Sequence, residues 1–389
     1  MSVSVLAPKR RLASPLDFVL VSGIIALALF ASATPSPLYA DYAASWHFST
    51  PVLTAVYAVY AIGVLASLLL IGALVALLLA TGLYMVAQSV VWLFAARAVQ
   101  GLATGAALGA AGAAMLDLHP RGDAVQVGLV NGVGSALGIG LGAAVSSVLV
   151  QEAPDPRVTP FLLVFVLFAA ALAGTLALRE SVPRTARPRL RPQRPQVPRE
   201  IRPAFVLASL GVIASWSIGG LYLALAPSLA TQLFDTHSHL AGGAVVLALA
   251  GPGGLAQLAF HRLSPRTAMG AGSLVLALGM AGTVASLSSD SVPLFFGVSI
   301  VTGAGFGVAF MGAIRSISLA APPEHRAGVM SAFYVVAYLS LSVPTLIAGL
   351  VVPTLGLEPT FRIFGSAVVA LALATALGTR HRSIVAAAA

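Results

Sequence analysis

Two polar residues interrupt a long apolar run and are the first candidates for chemistry in this sequence. Arg97 and Gln100 lie within residues 93–117, where charged side chains are otherwise almost absent. A charge in such a run is costly and usually faces a bundle interior or a watery cavity. Because residues three apart share a helix face, the pair suits a proton relay or the orientation of a solute. Arg97 lies only about one turn into the run, so snorkelling to the surface is the alternative.

A proton relay also needs a group that titrates between two environments. No Asp or Glu lies in the middle of an apolar run, and the nearest carboxylate is Asp41, which follows Pro35 and Pro37. Asp41 would serve if a water-filled cavity reached it. Acids at the ends of apolar segments are ordinary, so a solvated loop carboxylate is the alternative.

Several other polar or aromatic residues lie within apolar runs. They suit the lining of a cavity for an amphipathic solute, and buried contacts between helices are the alternative for each. These candidates are Tyr39, Asn131, Trp216, Tyr222, Gln257, Tyr334 and Tyr338. Tyr57 and Tyr60 are expected in an aromatic belt at a membrane interface.

The sequence argues against an enzyme. The chain has no Cys, which excludes thiol catalysis and Cys-ligated zinc. The His residues lie in loops or at segment ends, and His237 and His239 have no supporting acids nearby in the sequence. No Ser/His/Asp or paired-acid constellation stands within the apolar runs. We therefore expect no catalytic residue, no metal and no cofactor.

The composition indicates that membrane-spanning helices position these residues. Hydrophobic residues make up 58% of the 389 residues and charged residues only 8%, whereas soluble domains are about 25% charged. Runs long enough to cross a bilayer predict an all-α membrane protein with twelve transmembrane helices. They lie near 17–40, 51–71, 73–91, 93–117, 123–150, 159–179, 203–233, 240–260, 267–287, 292–319, 326–353 and 361–379.

The positions of Lys and Arg predict the orientation. With the N-terminus in the cytoplasm, seventeen basic residues fall on the cytoplasmic side, and only Arg157 and Arg362 fall in outer loops. This asymmetry matches the positive-inside rule. We therefore expect a multi-pass protein of the bacterial inner membrane, folded as a monomer, with both termini in the cytoplasm.

An Arg- and Pro-rich segment, residues 180–202, divides the predicted spans six and six. Pro at this density favours an extended, solvated linker, and its basic side chains suit anionic lipid headgroups. Nucleic-acid binding is not expected, because the segment has no aromatic residues among its basic ones. The predicted domains are therefore residues 1–179, a linker at 180–202 and residues 203–389.

The two predicted six-helix bundles show an internal repeat. Thr34-Pro35-Ser36-Pro37 in span one resembles Ala226-Pro227-Ser228 in span seven, and residues 101–105 resemble residues 303–307. Parallel six-span repeats are typical of one large class of transporter. Between spans one and four the first half is ten residues shorter than the matching part of the second half, and residues 51–91 carry no charge. The missing length and the uncharged stretch together predict that spans two and three follow each other almost without a loop, with a turn near Gly72.

Two further patterns suggest gating and packing roles. Asp117 with Arg121, and Glu324 with Arg326, bracket two cytoplasmic loops at matching positions of the repeat and could pair across the halves when an inner gate closes. Glycines at four-residue spacing predict close helix packing. These glycines are Gly101, Gly105, Gly109, Gly134, Gly138 and Gly142.

With these motifs the sequence resembles the major facilitator superfamily, and specifically its bacterial twelve-span, drug/proton antiporter-like branch. Arg97 followed by Gln100-Gly101 looks like the span-four motif of that family. The stretch Pro322-Pro323-Glu324-His325-Arg326 looks like its loop before span eleven, and the Pro pair followed by Tyr39 and Asp41 is similar to its span-one motif.

The resemblance implies a secondary transporter for a small organic solute, such as a drug or a sugar, with proton-coupled efflux as the expected mode. Two motifs of the family are missing. The glycines of span five, such as Gly138 and Gly142, stand without a Pro, and the Gly–Asp–Arg-rich loop between spans two and three is absent. A transport-inactive membrane protein, such as a sensor, a scaffold or a loop-deleted variant, is therefore the alternative function.

Overall fold

A computed structural model describes residues 15–66, 72–119, 123–177, 195–233, 238–289 and 291–388. The first half of the chain forms seven helices. They are α1 (Pro15–Ala33), α2 (Tyr39–Trp46), α3 (Thr50–Ala66), α4 (Ala73–Met85), α5 (Val90–Leu118), α6 (Ala124–Glu152) and α7 (Thr159–Ala177).

The second half repeats this order. Its helices are α8 (Arg202–Ala224), α9 (Ala226–Leu233), α10 (His239–Ala259), α11 (Pro265–Ser286), α12 (Val292–Ala320), α13 (Arg326–Leu355) and α14 (Leu357–Ala388). The described residues contain no strand. The all-α fold predicted from the sequence is therefore confirmed.

The first predicted span of each half is broken into a long and a short helix. Pro35 and Pro37 lack backbone N–H groups, so the helical bonding of α1 stops at Ala33 and a short 3-10 turn, Ser36–Leu38, leads into α2. In the second half, Pro227 follows the junction between α8 and α9. We call the end of the bundle that holds α2 and α9 the break end, and the opposite end, where α7 ends and α8 begins, the linker end.

Ten segments of the described chain are long and apolar enough to cross a membrane. The helices at the positions of spans two and three are shorter, with 17 residues in α3 and 13 in α4. Ile71, at the turn predicted near Gly72, lies outside the described residues, as do residues 67–70. Gly72 itself has a φ of +96°, and α4 begins directly after it.

Most of the predicted linker also lies outside the described residues. Its last part, from residue 195, leads through a 3-10 turn at Arg199–Ile201 into α8. The N–H of Gln196 donates to the carbonyl oxygen of Gly328 in α13, so this part of the segment is attached to the second half.

Two helix pairs join the halves of the bundle. In one pair, α3 packs against α13, with Thr54 close to Gly349. In the other, α6 packs against α10 over much of its length. At the break end, Ser147 of α6 lies against Gly243 of α10, and farther along the same helices Gly140 lies against Gly251. The close approach along these lines requires glycines.

Candidate functional site

Arg97 of α5 is completely buried at the point where α1 ends. Its Nη1 donates to the carbonyl oxygen of Ser32 at 2.9 Å and to Oε1 of Gln100 at 2.8 Å. Nε and Nη2 both donate to the hydroxyl oxygen of Tyr39 in α2. Snorkelling, the alternative that the sequence left open for Arg97, is therefore wrong, because the side chain turns inward to the break of the first span.

Gln100 completes the hydrogen bonding of the broken helix. In an intact helix the carbonyl oxygen of Ala31 would accept from the N–H of residue 35, but Pro35 has none. Nε2 of Gln100 donates to this oxygen at 2.9 Å. The hydroxyl of Tyr84 donates to Oε1 of Gln100 at 3.3 Å. Arg97 and Gln100 thus brace the end of α1 from one face of α5.

Three tyrosine rings surround the Arg97 guanidinium. The distances from Cζ of Arg97 to the ring centroids are 5.5 Å for Tyr39, 5.8 Å for Tyr57 and 5.3 Å for Tyr60. All three rings are buried. The prediction that Tyr57 and Tyr60 form an interfacial belt is therefore wrong. Their i,i+3 spacing places both on the face of α3 that meets the buried charge.

The second half has an uncharged counterpart of this site. The repeat that aligns Gly101 with Gly303 places Ser299 and Thr302 at the positions of Arg97 and Gln100. Ser299 lies 3.0 Å from the hydroxyl of Tyr222, and Thr302 lies 3.2 Å from the hydroxyl of Thr283. Tyr222 is fully buried against Phe361. At the matching positions of the second half, hydroxyl groups therefore stand in place of the buried charge.

An aromatic cluster occupies the second half on the linker side of Tyr222. The rings of Trp216 and Tyr338 meet edge to face at 5.0 Å, and Phe310 packs against Trp216 at 5.4 Å. Tyr334 contacts Phe333 at the margin of the cluster and is 37% exposed. The Nε1 atom of Trp216 is buried and has no hydrogen-bond partner among the described residues, so a donor is available there.

Asn131 and Gln257 lie on the two helices that join the halves. Asn131 of α6 is half-buried and accepts from the hydroxyl of Ser135 at 3.3 Å. Gln257 of α10 is buried, and its Oε1 lies directly against Gly132 of α6. Gln257 is therefore at the contact between α6 and α10, and it fits there because Gly132 has no side chain.

Asp41 joins the halves at the break end. Its Oδ2 lies 3.5 Å from Nε2 of His239, the first residue of α10. The backbone N–H of His239 donates to Oε1 of Gln151 at 3.1 Å. The alternative of a freely solvated loop carboxylate does not describe Asp41, since its side chain is partly buried and faces an imidazole.

A cavity of about 290 Å³ lies between the halves at the break end. Both halves contribute to its walls, which are mainly apolar with three uncharged polar side chains. The lining residues are Ala40, Ala43, Phe48, Thr50, Leu53, Leu225, Ser228, Gln232, Val352 and Leu357.

The predicted gating pairs remain a prediction. Arg121 lies outside the described residues, and the side chain of Asp117 is not described either. Glu324, in the loop before α13, and Arg326, the first residue of α13, are both exposed. Neither of these two forms an ion pair within the described part of the chain.

Arg315 lies near the linker end of α12. Its guanidinium donates to the carbonyl oxygen of His261.

The predicted packing glycines have different surroundings. A Cβ at Gly138 or Gly142 would overlap the carbonyl oxygen of Ala26 or Phe30 in α1, and a Cβ at Gly101 would overlap that of Tyr60. Gly134 makes an ordinary contact with Ala26. The prediction of close helix packing is wrong for Gly109, because no atom among the described residues lies within 4 Å of where its Cβ would stand. For Gly105 no neighbour is described.

Sequence reasoning missed the role of several residues at these sites. Tyr84 reaches Gln100 from α4, and His239 reaches Asp41 from the other half. One signal was available, since Pro35 leaves the carbonyl of Ala31 without its helical donor and therefore requires one from elsewhere.

Within the described residues, no group of three His, Asp or Glu side chains could hold a metal ion.

Comparisons with known proteins agree with this architecture. One solved structure, a POT family transporter in complex with 5-aminolevulinic acid, superposes with a TM-score of 0.71 at 12% identity over 94% of this chain and 95% of that chain. A bacterial homologue of the human lysosomal transporter Spinster, in an inward-facing and occupied conformation, gives a TM-score of 0.67 at 14% identity over 94% and 96%. No curated protein matches the chain.

The comparison with protein families assigns the sequence itself. The profile of the Major Facilitator Superfamily matches residues 18–268. This range covers more than half of the chain, and it includes the broken first span, the Arg97 site and the break between α8 and α9. The chain therefore belongs to the Major Facilitator Superfamily.

Proposed function

We propose that this protein is a secondary transporter that exports a small amphipathic organic solute across the bacterial inner membrane in exchange for protons. The two halves would rock about a central space, opening it alternately to the break end and to the linker end. The family match and the transporter folds that superpose on the chain support the transporter class. The solute, the direction and the proton coupling are our proposal.

The difference between the two ends of the bundle carries the proposal. Two ranges, residues 31–39 and residues 217–227, contain the breaks in the two spans, and every residue in them is buried. Toward the linker end, Trp216, Tyr334 and Tyr338 keep part of their surface accessible. This arrangement suits a transporter held closed at one end and accessible from the other, which is one of the two states that alternating access requires.

The chemistry of the described spans suggests the class of solute. The polar and aromatic side chains that face the interior of the bundle carry mainly aromatic rings, amides and hydroxyl groups. No carboxylate of the described residues pairs with Arg97. Aromatic side chains bind flat apolar surfaces and leave polar edges free for hydrogen bonds. We therefore propose an uncharged or weakly charged amphipathic solute, with Tyr39, Arg97 and Gln100 fixing the helix break near which it passes.

Transport by purified protein in proteoliposomes tests the proposal. An imposed pH gradient should drive accumulation of at least one solute from a broad panel of radiolabelled organic compounds. The variant Arg97→Lys keeps the charge but loses the guanidinium fork, so flux should fall about tenfold if roughly 1.4 kcal/mol is lost. Gly109→Ala, at an open position, is the control. A flux that is the same with and without the pH gradient would contradict proton coupling. The absence of flux for every compound in the panel would contradict transport.

One observation favours the alternative of a transport-inactive protein. The 13 residues of α4 span only about 20 Å, which is less than the hydrocarbon core of about 30 Å. Insertion of a ten-residue Gly–Asp–Arg loop after Gly72 separates the two functions. If a silent native chain gains flux from the insertion, the native protein is the inactive variant. If native flux is already present and the insertion leaves it unchanged, the alternative is wrong.

A further inference from the structure

One ion pair at the break end joins the two halves of the bundle. Asp41 lies in α2 of the first half, and His239 begins α10 of the second half, with 3.5 Å between Oδ2 and Nε2. If the halves separate at this end, α2 and α10 move apart and the pair breaks. The contact therefore exists only in the state that is closed here.

The surroundings hold His239 in place but leave its ring reachable. Its backbone N–H is fixed by Gln151 of α6, and Arg157 donates to Ser45 of α2, which steadies the helix that carries Asp41. The side chains of His239 and Asp41 are 26% and 34% exposed. Water, and with it protons, can reach the pair from the break end.

Other ionisable groups stand on the elements around the pair. On α2 and the residue after it are Tyr39, Tyr42 and His47, and on the end of α6 and its loop are Glu152, Asp155 and Arg157. Tyr39 is committed to Arg97, and Tyr42 stacks on Trp46. Glu152 and Asp155 are exposed. Of the ion pairs found in the described chain, the one between Asp41 and His239 crosses between the halves.

The pairing depends on pH through the imidazole. A His side chain carries charge only when it is protonated. The Asp41 carboxyl group must also be ionised for the two side chains to attract each other. The attraction is therefore present while the imidazole is protonated and the carboxyl group is ionised, and it is lost when a rise in pH removes the proton from the imidazole.

We infer that Asp41 and His239 form a proton-binding site that holds the break end closed. The proton adds to the free ring nitrogen of the neutral imidazole, and the resulting cation faces the Asp41 carboxylate across the halves. By reciprocity, a proton that stabilises the closed state is bound more tightly in that state than in the open one. The inference rests on the proposed alternation between two end states, and it names the site through which protons would bias that alternation.

The test measures the separation of the halves rather than transport. Because the chain has no Cys, Val86→Cys and Leu355→Cys place one spin label on each half, at exposed positions near the break end. Double electron–electron resonance in lipid nanodiscs then gives the closed and open fractions between about pH 5 and 8. The closed-to-open ratio of the parent protein should fall about two- to fivefold as the pH rises, as a partly exposed pair allows.

Three variants locate the effect. His239→Gln keeps the backbone contact with Gln151 but cannot gain a proton, so the ratio should no longer change with pH, and Asp41→Asn should behave in the same way. His47→Asn is the matched control: it removes an exposed imidazole from the same end, and Asn tolerates the left-handed backbone at residue 47, where φ is 52°. This control should keep the pH dependence of the parent.

The outcomes separate the site from the proposed function. If His239→Gln keeps the pH dependence of the parent, or if the parent shows none, the site is overturned whatever the flux assays give. If the dependence is lost in both site variants while no solute is transported, the proton site stands and the transport proposal fails. A dependence lost in His47→Asn as well would also overturn the inference, because the effect would then not belong to the pair.

Discussion

A buried guanidinium without a paired carboxylate needs other negative partners, and Arg97 finds them at a helix end. The last carbonyl groups of α1 carry the negative end of the helix dipole, and two of them, from Ala31 and Ser32, are bonded by Gln100 and Arg97. Tyrosine faces add a favourable quadrupole, which contributes about 2 kcal/mol when desolvated. The charge and the proline break thus stabilise each other.

Removing the amide that braces α1 should destabilise the protein. Gln100→Leu leaves the carbonyl oxygen of Ala31 and one N–H of Arg97 without partners, so we expect a loss of about 1–3 kcal/mol. Thermal unfolding in detergent measures it. Gln88→Leu, at an exposed glutamine, should change stability by less than about 0.5 kcal/mol. Equal effects of the two substitutions would show that the bonds of Gln100 do not hold the break.

At this scale the sequence predicted part of the site. The spacing of Arg97 and Gln100 indicated a shared face, and the structure places them on one. The three tyrosine rings around Arg97 could not be predicted. Tyr39, Tyr57 and Tyr60 come from two other helices, and the rotation of these helices about their axes depends on packing. Apolar runs without periodicity, such as those of α3, leave that rotation undetermined.

At the scale of elements, α1 and α6 are joined by a ladder of matching positions. Gly138 faces Ala26 and Gly142 faces Phe30, and the hydroxyl of Ser146 donates to the carbonyl oxygen of Thr34 at 2.6 Å. Each step is four residues along both helices, so the helices run in the same direction. Four-residue spacing of glycines in the sequence predicted close packing, but the partner helix needed the structure.

The ladder predicts a position-dependent cost of adding one methyl group. Gly142→Ala places a Cβ on the backbone of Phe30, where neither helix can yield without moving, and should cost about 1–3 kcal/mol. Gly109→Ala meets open space and should be neutral or stabilising by up to about 1 kcal/mol. Unfolding of both variants in the same detergent gives the comparison. A stability of Gly142→Ala equal to that of Gly109→Ala would contradict the ladder.

At the scale of the whole molecule, the two halves contact each other along α3–α13 and α6–α10, and in the proposed alternation the contacts near the break end hold that end closed. The repeat could be predicted from the sequence, because prolines stand at matching positions of the first span in both halves. Each of these spans forms one apolar run in the sequence, so its division into two helices needed the structure. The closed end could not be predicted, since one sequence must support both end states and these differ by only a few kcal/mol. Contacts at the interface therefore decide which state dominates.

A wedge at that interface should shift the balance between the states. Gly349 of α13 lies against the side chain of Thr54 in α3 near the break end, so the Cβ of Gly349→Ala would overlap Thr54 only while this end is closed. We expect the closed fraction, measured with the Val86→Cys and Leu355→Cys spin labels, to fall by about fivefold or more, as a strain of at least 1 kcal/mol implies. Thr54→Ala removes the clashing atoms, so the double variant should recover most of the closed fraction. A closed fraction that stays unchanged in Gly349→Ala, or that Thr54→Ala fails to restore, would show that this contact does not control the closing of the break end.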